Sequence, residues 1–424
     1  MIILSKKEDC CGCHACETVC PKKCISMRED AEGFFYPSTD AALCINCHLC
    51  EKVCPVINAT NRAKNVPASN DSPFHARVFA VRASSDALVL ASSSGGAFSV
   101  IAENVIARGG VVFGARWTPD FSGVFHDFTE TLDGLSAFRG SKYLQSRVGN
   151  AFKKAHEFLN TGREVLFTGT PCQIAGLRRA LRKNYPNLLA VDIACWKVPS
   201  PKVWREFFSA TVEKNSFPRK EISDVRHRKK TSRDGKFSCA DFSVETPTGT
   251  LFQKPLYSTA FGKGFASGLI TRPSCAECPA KGGGSGSDLT LGDFWGVEKT
   301  FPDLNAQRGV SVIVARTPRG LAAAEQAFPH FSVVRETTLS AAIPYNGGLR
   351  SDSHKNPQRE AFFKKFNAAP NARAKLHVLE KFTRATFRQR AKNFAIRSAR
   401  FVLARTGMLG VAKNLFKFFL RDVS

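Results

Sequence analysis

The chain has 424 residues, 43% of them hydrophobic, and carries a formal net charge of +25. That length exceeds what one hydrophobic core usually supports, so we expect more than one domain. Residues 1–9 are rich in charged side chains and no apolar run reaches about 18 residues, so we expect neither a secretion signal nor a membrane-spanning helix.

Two cysteine strings with the same spacing come first in the chain. Each reads Cys-x-x-Cys-x-x-Cys-x-x-x-Cys-Pro, the run that binds 4Fe-4S clusters in bacterial ferredoxins. In two-cluster ferredoxins the fourth cysteine of each run binds the other cluster, so we assign the ligands in crossed sets. These are Cys10, Cys13, Cys16 and Cys54 for a first cluster, and Cys44, Cys47, Cys50 and Cys20 for a second. Residues 1–57 are predicted to form an α+β ferredoxin-like module.

Zinc binding and disulfide bonding are the alternatives for these strings. Zinc sites usually pair two Cys-x-x-Cys knuckles, which this pattern does not follow, so iron-sulfur clusters are favoured. Clusters need reduced thiolates, and we therefore expect a cytoplasmic protein. Cys11, Cys24 and Cys239 lie outside the cluster patterns, and we assign them no role.

A polar segment rich in turn formers, residues 58–75, predicts a linker. Apolar runs then alternate with helical patterns, which favours an α/β domain with a parallel or mixed sheet over residues 76–345. The predicted strands are 78–81, 111–115, 164–167, 188–193 and 289–291, and the predicted helices are 97–108, 148–159, 173–182 and 201–213. A β-rich insert is predicted near 221–254 and a strand-helix-strand unit at 310–334.

Two turns in this domain suit phosphate binding. Ser92 to Gly96 reads Ser-Ser-Ser-Gly-Gly before a predicted helix, and Thr168 to Pro171 reads Thr-Gly-Thr-Pro between a strand and a helix. Backbone N–H groups and hydroxyls at the positive end of a helix attract anions. Ordinary helix capping uses the same residue types, so the spacing leaves both interpretations open.

Four more cysteines follow: Cys172, Cys195, Cys275 and Cys278. The first two lie just beyond consecutive predicted strands, at the edge where open α/β sheets bind ligands. The four thiols suit a third cluster. Buried free thiols, or a zinc knuckle at Cys275 and Cys278, are the alternatives that the spacing leaves open.

Five strings in this region complete a pattern. They are SSGGAF at 93–98, RGSKY at 139–143, TGTPCQIAGL at 168–177, RPSC at 272–275 and DLTLGDFWG at 288–296. In order and spacing, over about residues 77–320, they resemble the coenzyme F420 hydrogenase/dehydrogenase beta-subunit family.

The resemblance implies a flavoprotein oxidoreductase that holds FAD beside a 4Fe-4S cluster. Such a protein passes electrons between a two-electron substrate, either an organic compound or a deazaflavin-type coenzyme, and one-electron clusters. The resemblance favours a third cluster at Cys172, Cys195, Cys275 and Cys278. It implies FAD contacts at Ser93, Ser94, Gly95, Gly96, Ser141, Lys142, Tyr143, Gly169, Thr170, Gln173, Asp293 and Trp295. His126 and His227 are the nearest acid-base candidates, but we assign no catalytic residue.

One departure from the family pattern concerns the substrate. Family members usually carry His-Gly after the cysteine that matches Cys195, whereas this chain has Trp196 and Lys197. Trp196 suits either stacking on a ring or filling the core, and Lys197 suits pairing with a phosphate or a reduced flavin. The resemblance therefore does not establish F420 itself as the substrate.

Residues 346–424 are predicted to form a basic amphipathic helical tail, because basic and apolar residues alternate from Arg373 to Arg421. Two interpretations of this tail remain open: it packs on the body, or it contacts the inner face of the membrane peripherally. We expect a ferredoxin or another redox protein and a small-molecule redox substrate as partners. No nucleic acid is expected, since no nucleic-acid-binding module is recognisable.

Three functions remain open from the sequence, of which a nucleic-acid-binding iron-sulfur protein is suggested only by the charge and is weak, since no such module is recognisable. One is an FAD-dependent iron-sulfur oxidoreductase with its own substrate. The alternative is an electron-delivery subunit of a larger complex without independent catalysis.

Overall fold

The computed structural model describes residues 1–59, 75–233, 236–350 and 355–384. Contacts divide the chain into two units, Met1–Leu379 and Glu380–Ser424. Residues 60–74 of the predicted linker and residues 385–424 of the predicted tail lie outside the described part. Within the described residues, no helix is both long and apolar enough to cross a membrane.

The N-terminal module consists of short elements around its cysteines: α1 (Ala15–Val19), β1 (Ile25–Glu29), β2 (Phe35–Thr39) and α2 (Leu49–Lys52). The two strands form an antiparallel hairpin. Asp30 closes its turn, because its carboxylate accepts the N–H groups of Glu32 and Phe34 at 3.0 Å each. Cysteines make up much of the buried core here, together with Ile2, Ile25, Met27, Ala15, Val53 and Phe34. A core this small depends on cofactors or on its neighbour for stability.

The second part of the fold contains the remaining strands. They are β3 (Arg77–Ala83), β4 (Val111–Trp117), β5 (Val124–Thr129), β6 (Val165–Gly169), β7 (Leu188–Ile193), β8 (Asp224–Arg233), β9 (Lys236–Thr246), β10 (Gly249–Pro255), β11 (Leu289–Asp293), β12 (Ser311–Ala315) and β13 (Phe331–Thr337). Eight of them form one mixed sheet in the order β13-β3-β12-β11-β7-β6-β4-β5. β4, β6, β7 and β11 are parallel, whereas β3, β5, β12 and β13 join by antiparallel pairing. The predicted α/β domain with a mixed sheet is confirmed.

Helices follow or flank these strands. They are α3 (Asp86–Ala91), α4 (Ala97–Ala107), α5 (Ala151–Asn160), α6 (Pro171–Leu181), α7 (Pro201–Lys214), α8 (Ala260–Ala266), α9 (Pro318–Ala327), α10 (Leu339–Ala342), α11 (Arg359–Ala368) and α12 (Ala372–Thr383). Side chains of the central strands alternate between two apolar layers. Val112 packs with α4 and α9 on one face, and Val111 and Phe113 pack with α5 and α6 on the other. Burial on both faces explains why these strands read as continuous apolar runs.

The β-rich insert is an antiparallel sheet of β8, β9 and β10, as its alternating sequence indicates. The sequence did not indicate β5, the edge strand that pairs with β4. β5 reads Val-Phe-His-Asp-Phe-Thr, and its polar residues hide the strand pattern because the edge of a sheet is partly exposed.

The described start of the predicted tail packs on the body. Phe362, Phe363 and Phe366 of α11 are buried. Lys375 of α12 forms an ion pair with Glu206 of α7 at 2.6 Å. For residues 359–379 the structure therefore shows packing, while most of the basic amphipathic segment lies outside the described residues.

Phe113 is the residue to test for the stability of the sheet. It is fully buried, and its ring lies 5.2 Å from that of Phe167 and 5.5 Å from that of Phe128. We expect Phe113→Ala to lower the free energy of unfolding by about 3–5 kcal/mol through lost burial and a residual cavity. Denaturant unfolding under anaerobic conditions measures it. Leu132→Ala, at an exposed position, should cost less than about 0.5 kcal/mol, and equal losses in the two variants would contradict the prediction.

Candidate redox site

Four parallel strands end at one edge of the large sheet. The chain beyond β4, β6, β7 and β11 carries Trp117, Cys172, Cys195 and Asp293 at or just past the strand ends. Leu291 pairs with Ile193, so Asp293 and Cys195, each two residues further on, leave the sheet next to each other. This is the edge at which α/β sheets bind ligands.

The third set of cysteines comes together at this edge. Cys172 is the second residue of α6, Cys195 follows β7, and Cys275 and Cys278 lie in and just after a 3₁₀ turn at Pro273–Glu277. Burial raises the pKa of the Cys195 thiol, and its neighbours Cys275 and Cys172 raise it further. The Val198 N–H donates to Cys275 Sγ at 3.4 Å, as backbone amides do for cluster ligands.

The positions of these four thiols indicate which kind of metal group they could bind. Among the described residues, no three His, Cys, Asp or Glu side chains are placed to bind a single metal ion. A zinc ion needs its ligands about 2.0–2.3 Å from one point. A 4Fe-4S cluster takes four cysteine ligands, each on a different iron. Four cysteines from three separate loops fit the cluster.

Two buried lysines lie beside this set. Lys281 is 8% exposed, and its Nζ donates to the carbonyl of Trp196 at 2.7 Å and to that of Cys275 at 3.4 Å. Lys197 is 6% exposed, and its Nζ lies 3.9 Å from the centre of the Trp196 ring. Burial, followed by the charge of Lys281, lowers the pKa of Lys197 to about 8.

Neither lysine has a carboxylate within ion-pair distance in the part of the chain that the structure describes. Two buried cations need a nearby negative charge. The charge of Lys281 lowers the pKa of Cys195, Cys275 and Cys278. Thiolates of an iron-sulfur cluster would supply the missing negative charge.

The first ferredoxin-type set lies against the third set. Burial raises the pKa of Cys16, and the next contributions come from Cys10 and Cys54, so these thiols are neighbours although Cys54 belongs to the other string. Cys50 of the second set also contributes, so the crossed assignment of the ligands stays a prediction. Cys13 contacts Gly176 of α6, where an added Cβ would lie 2.8 Å from Cys13 Cβ and 3.0 Å from its Sγ.

Cys11, which received no role from the sequence, bridges the two sets. It packs in one cluster with Cys13 and Cys172. The hydrogen bond that the Cys172 thiol donates to Cys11 is the main cause of the raised pKa of Cys172. The ligand loop of the first set is therefore in direct contact with a ligand of the third.

Arg272 holds this junction in place. It is 2% exposed and stands three residues before Cys275. Its guanidinium donates to the carbonyl of Cys10 at 2.9 Å, to Gln145 Oε1 at 2.8 Å and to the carbonyl of Phe35 at 3.0 Å. Gly12 has φ of +68°, and an added Cβ there would lie 2.4 Å from Gln145 and 2.8 Å from Arg272. Only glycine fits this close approach.

The second ferredoxin-type set faces outward. Cys20, Cys44, Cys47 and Cys50 line one surface depression together with Cys24. Cys24 Sγ lies 3.3 Å from Cys20 Sγ. Cys24 therefore belongs to the surroundings of the second set, which its spacing did not indicate.

A basic cavity of about 440 Å³ opens near the other end of the same sheet edge. Such a volume is typical of small-molecule sites. Its cationic lining residues are Arg116, Arg139, Lys142, Arg226 and Arg228, and its aromatic ones include Trp117, Phe121 and His227. A cavity with this lining suits an anionic ligand that carries an aromatic ring.

The arginines of the cavity already have carboxylate partners, whereas Lys142 does not. Asp127, Glu103, Asp224 and Asp293 pair with Arg116, Arg139, Arg226 and Arg228, respectively. Lys142 Nζ donates to the carbonyls of Arg139 at 2.9 Å and Gly140 at 3.2 Å. Burial lowers the pKa of Lys142 to about 7. Among the described lining residues, Lys142 is thus the cation available to a ligand anion.

Arg228 connects the cavity to the cysteine-bearing edge. It donates to both carboxylate oxygens of Asp293, at 2.6 and 3.1 Å, and to the carbonyl of Ser93 at 3.1 Å. Its guanidinium lies 5.2 Å from the centre of the Trp295 ring. Three of the predicted flavin contacts, Ser93, Asp293 and Trp295, therefore meet at one arginine that the sequence did not identify.

His227 is neutral and has one unused donor. The Tyr143 N–H donates to His227 Nδ1 at 2.8 Å, and the two rings stack with centres 5.7 Å apart. Burial lowers the pKa of His227 to about 3, so the ring is neutral. Because Nδ1 accepts the Tyr143 hydrogen bond, the one ring proton sits on Nε2. That buried Nε2–H has no hydrogen-bond partner among the described residues, although His227 lines the cavity.

The other predicted contacts lie at different places. Ser141 lines the cavity, and its N–H donates to Ser93 Oγ at 2.6 Å. Gly95 and Ser94 form hydrogen bonds at the start of β12. The Gly95 N–H donates to Ser311 Oγ, and Ser94 Oγ donates to the Val310 carbonyl. Gly96 is the N-cap of α4. Thr170 and Gln173 form the capping box of α6, and Gly169 precedes it, beside Cys172 rather than in the cavity lining.

Several residues of this site were missed from the sequence. The cavity cations Arg116, Arg226 and Arg228 lie on strands, where a basic residue is usually read as solvent-exposed. The run Arg226-His227-Arg228-Lys229-Lys230 inside a predicted strand was the available signal. Arg272 and Lys281 flank Cys275 and Cys278 and could have been found as buried cations beside a cysteine motif.

We expect Lys281→Met to lower the reduction potential of one cluster and leave the others unchanged. A nearby positive charge stabilises the more negative reduced state of a cluster, so its removal favours the oxidised state. A redox titration followed by electron paramagnetic resonance measures the shift. Lys299→Met, at an exposed position, is the control, and equal potentials in both variants would contradict the assignment.

Two family models match parts of the chain. Residues 9–58 match the family model of the 4Fe-4S dicluster domain. Residues 162–333 match the model that describes the C terminus of the coenzyme F420 hydrogenase/dehydrogenase beta subunit. None of the curated proteins compared with the chain matches it.

One solved structure that matches is a chain of the F420-reducing [NiFe] hydrogenase complex from Methanosarcina barkeri, determined as a xenon derivative. The identity is 16% and the TM-score is 0.43, over 73% of this chain and 90% of that chain. The two family models carry the assignment. The chain is an iron-sulfur redox protein that has an N-terminal 4Fe-4S dicluster domain and, over residues 162–333, the C-terminal domain of the coenzyme F420 hydrogenase/dehydrogenase beta subunit.

Proposed function

We propose that this protein is an FAD-dependent oxidoreductase with three 4Fe-4S clusters. It exchanges electron pairs with a small two-electron substrate, which is an organic compound or a deazaflavin-type coenzyme. It passes these electrons one at a time through its clusters. One observation carries the proposal. The basic cavity and the third cysteine set share one sheet edge, and the Arg228–Asp293 pair lies between them.

The cavity residues fit FAD. Lys142 suits its phosphates, Trp117 and Phe121 offer faces for a ring, and the unused Nε2–H of His227 offers a donor. When bound, FAD supplies the exchange of a hydride for two single electrons. The chain's own residues hold it: the Tyr143 N–H fixes the tautomer of His227, and Asp293 fixes the orientation of Arg228.

The three cysteine sets form a continuous series. The third set contacts the first through Cys11 and through Gly176, and the first shares the module core with the second. Arg272 and Gln145 keep the loop of residues 10–13 in register with the body. We propose that this series is the route of single electrons between the cavity and the surface.

The alternative, an electron-delivery subunit without its own catalysis, is favoured by one observation. Cys47 of the second set is exposed to solvent, where another protein can reach it. Both functions share the clusters, and they differ in whether a small substrate is turned over. Purified chain that holds FAD yet reacts with no two-electron donor in the absence of other proteins would favour the delivery subunit.

Cofactor content tests the proposal directly. Protein purified without oxygen should contain about twelve irons and one FAD, and Cys275→Ser should lose about four irons. Loss of Cys239, a buried thiol outside the three sets, is the control: Cys239→Ser should keep its iron. About eight irons, no flavin and no effect of Cys275→Ser would refute the proposal.

The charge of Lys142 should make flavin binding depend on pH. Its pKa is near 7, so Lys142 is protonated below that pH and becomes neutral above it. An anionic ligand binds the protonated form better, so we expect FAD affinity to fall from pH 6 to pH 8. Lys142→Gln should bind FAD more weakly and lose most of this dependence, whereas Lys142→Arg should bind at both pH values. Fluorescence titration of released FAD measures both, and a parallel pH profile in wild type and Lys142→Gln would contradict the role.

A further inference from the structure

The two cysteine sets of the ferredoxin-type module differ in exposure. Cys13, Cys16 and Cys54 of the first set are buried, and this set packs against α6 of the body. In the second set only Cys50 is buried, Cys20 and Cys44 are partly exposed, and Cys47 is fully exposed. Electron transfer between proteins needs a cluster close to the surface, and the second set provides it.

Three large apolar side chains of the module are strongly exposed. Ile3 is 73% exposed, and Leu43 and Ile45 are each 56% exposed. The other large exposed apolar residues of the described chain, Leu90, Leu132, Ile193, Tyr257 and Tyr345, are spread over the much longer body. Ile45 and Cys47 line the same depression. Exposed apolar groups gathered around a redox group are typical of a docking surface.

The charged residue that lines the depression is a lysine, and the carboxylate of Asp40 is exposed next to the lining residue Thr39. Lys22 lines it, and Lys23 is exposed beside Lys22 in the turn that follows Cys20 and Pro21. No Asp or Glu is among the lining residues. The nearest carboxylate of α2, Glu51, is already bound to the N-terminal amino group at 3.1 Å and to His48 at 3.0 Å.

We propose that this surface docks a small acidic one-electron carrier protein of the ferredoxin type. We define the carrier face as Ile3, Lys22, Lys23, Leu43, Ile45 and Cys47. The inference rests on the proposed function, because it names the partner of the cluster series. One electron leaves the reduced carrier and enters the second cluster, so the carrier is oxidised by one electron, the cluster is reduced by one, and no bond changes.

The positive charge of the carrier face favours an acidic carrier protein over the chain's own tail. Residues 385–424 are strongly basic in sequence, so the lysines of the carrier face would repel them. An acidic carrier is attracted instead, and such attraction raises the association rate at low salt. Small, weak interfaces with a few apolar contacts are typical of electron-transfer pairs.

The test uses the full chain, purified without oxygen, and a reduced acidic bacterial 4Fe-4S ferredoxin as the probe. Stopped-flow bleaching of the clusters gives the second-order rate at low and high salt. The variant Lys22→Glu with Lys23→Glu should lower that rate about tenfold at low salt, with a smaller effect at high salt. The control variant Lys153→Glu with Lys214→Glu makes the same charge change at exposed positions of α5 and α7. Its second-order rate should stay within about twofold of the wild-type rate.

Direct reduction by dithionite and iron content should be equal in all variants, which separates docking from loss of a cluster. Ile45→Asp should slow the protein reaction at both salt concentrations, because it removes an apolar contact. Equal rates in the two double-lysine variants would overturn the inference. So would binding to vesicles of anionic phosphatidylglycerol that the Lys22 and Lys23 changes abolish while the carrier rate is unchanged.

The outcome does not depend on the flavin. A chain with no FAD and no third cluster would refute the proposed function, yet its module clusters would still accept electrons at the carrier face. A chain with FAD and twelve irons whose lysine variants react normally would refute only the carrier face.

Discussion

The guanidinium of Arg272 is the interaction on which the arrangement of cofactor sites depends. It is buried, and it joins the loop of Cys10, the hairpin residue Phe35 and Gln145 of the body through three hydrogen bonds. A buried donor left without these acceptors would be costly, so the module cannot shift without losing them. Because Cys275 follows three residues later, the same side chain sets the distance between the module's first cysteine set and the third set.

The parallel strands supply the second constraint. Their carboxyl ends bring Trp117, Cys172, Cys195 and Asp293 to one edge, although these residues span much of the chain. Arg228 of the cavity lining therefore pairs with Asp293, which ends the strand next to the one that Cys195 follows. The antiparallel strands β3, β12 and β13 extend the sheet beyond this edge and bury its apolar faces.

Charge compensation links the two parts of the site. Lys197 and Lys281 are buried without carboxylate partners in the described chain, and the charge of Lys281 favours the deprotonation of Cys195, Cys275 and Cys278. The cavity arginines are instead paired with carboxylates, which leaves Lys142 for a ligand. Buried cations that lack partners mark where a negatively charged group is needed.

The sequence by itself determined the local features. The cysteine spacing indicated the ferredoxin-type module, and the alternation of apolar runs with helical patterns indicated the mixed α/β sheet, because both signals repeat over a few residues. The tertiary structure alone decided what Cys11, Cys24, Arg228 and Arg272 do, since their partners lie far along the chain: Arg272 bonds Cys10, and Arg228 bonds Ser93 and Asp293. The edge strand β5 was missed because four of its six residues are only partly buried. Contacts between residues far apart in the chain, and the burial that goes with them, produce no periodic pattern in a sequence. These contacts bring the scattered residues together in one site.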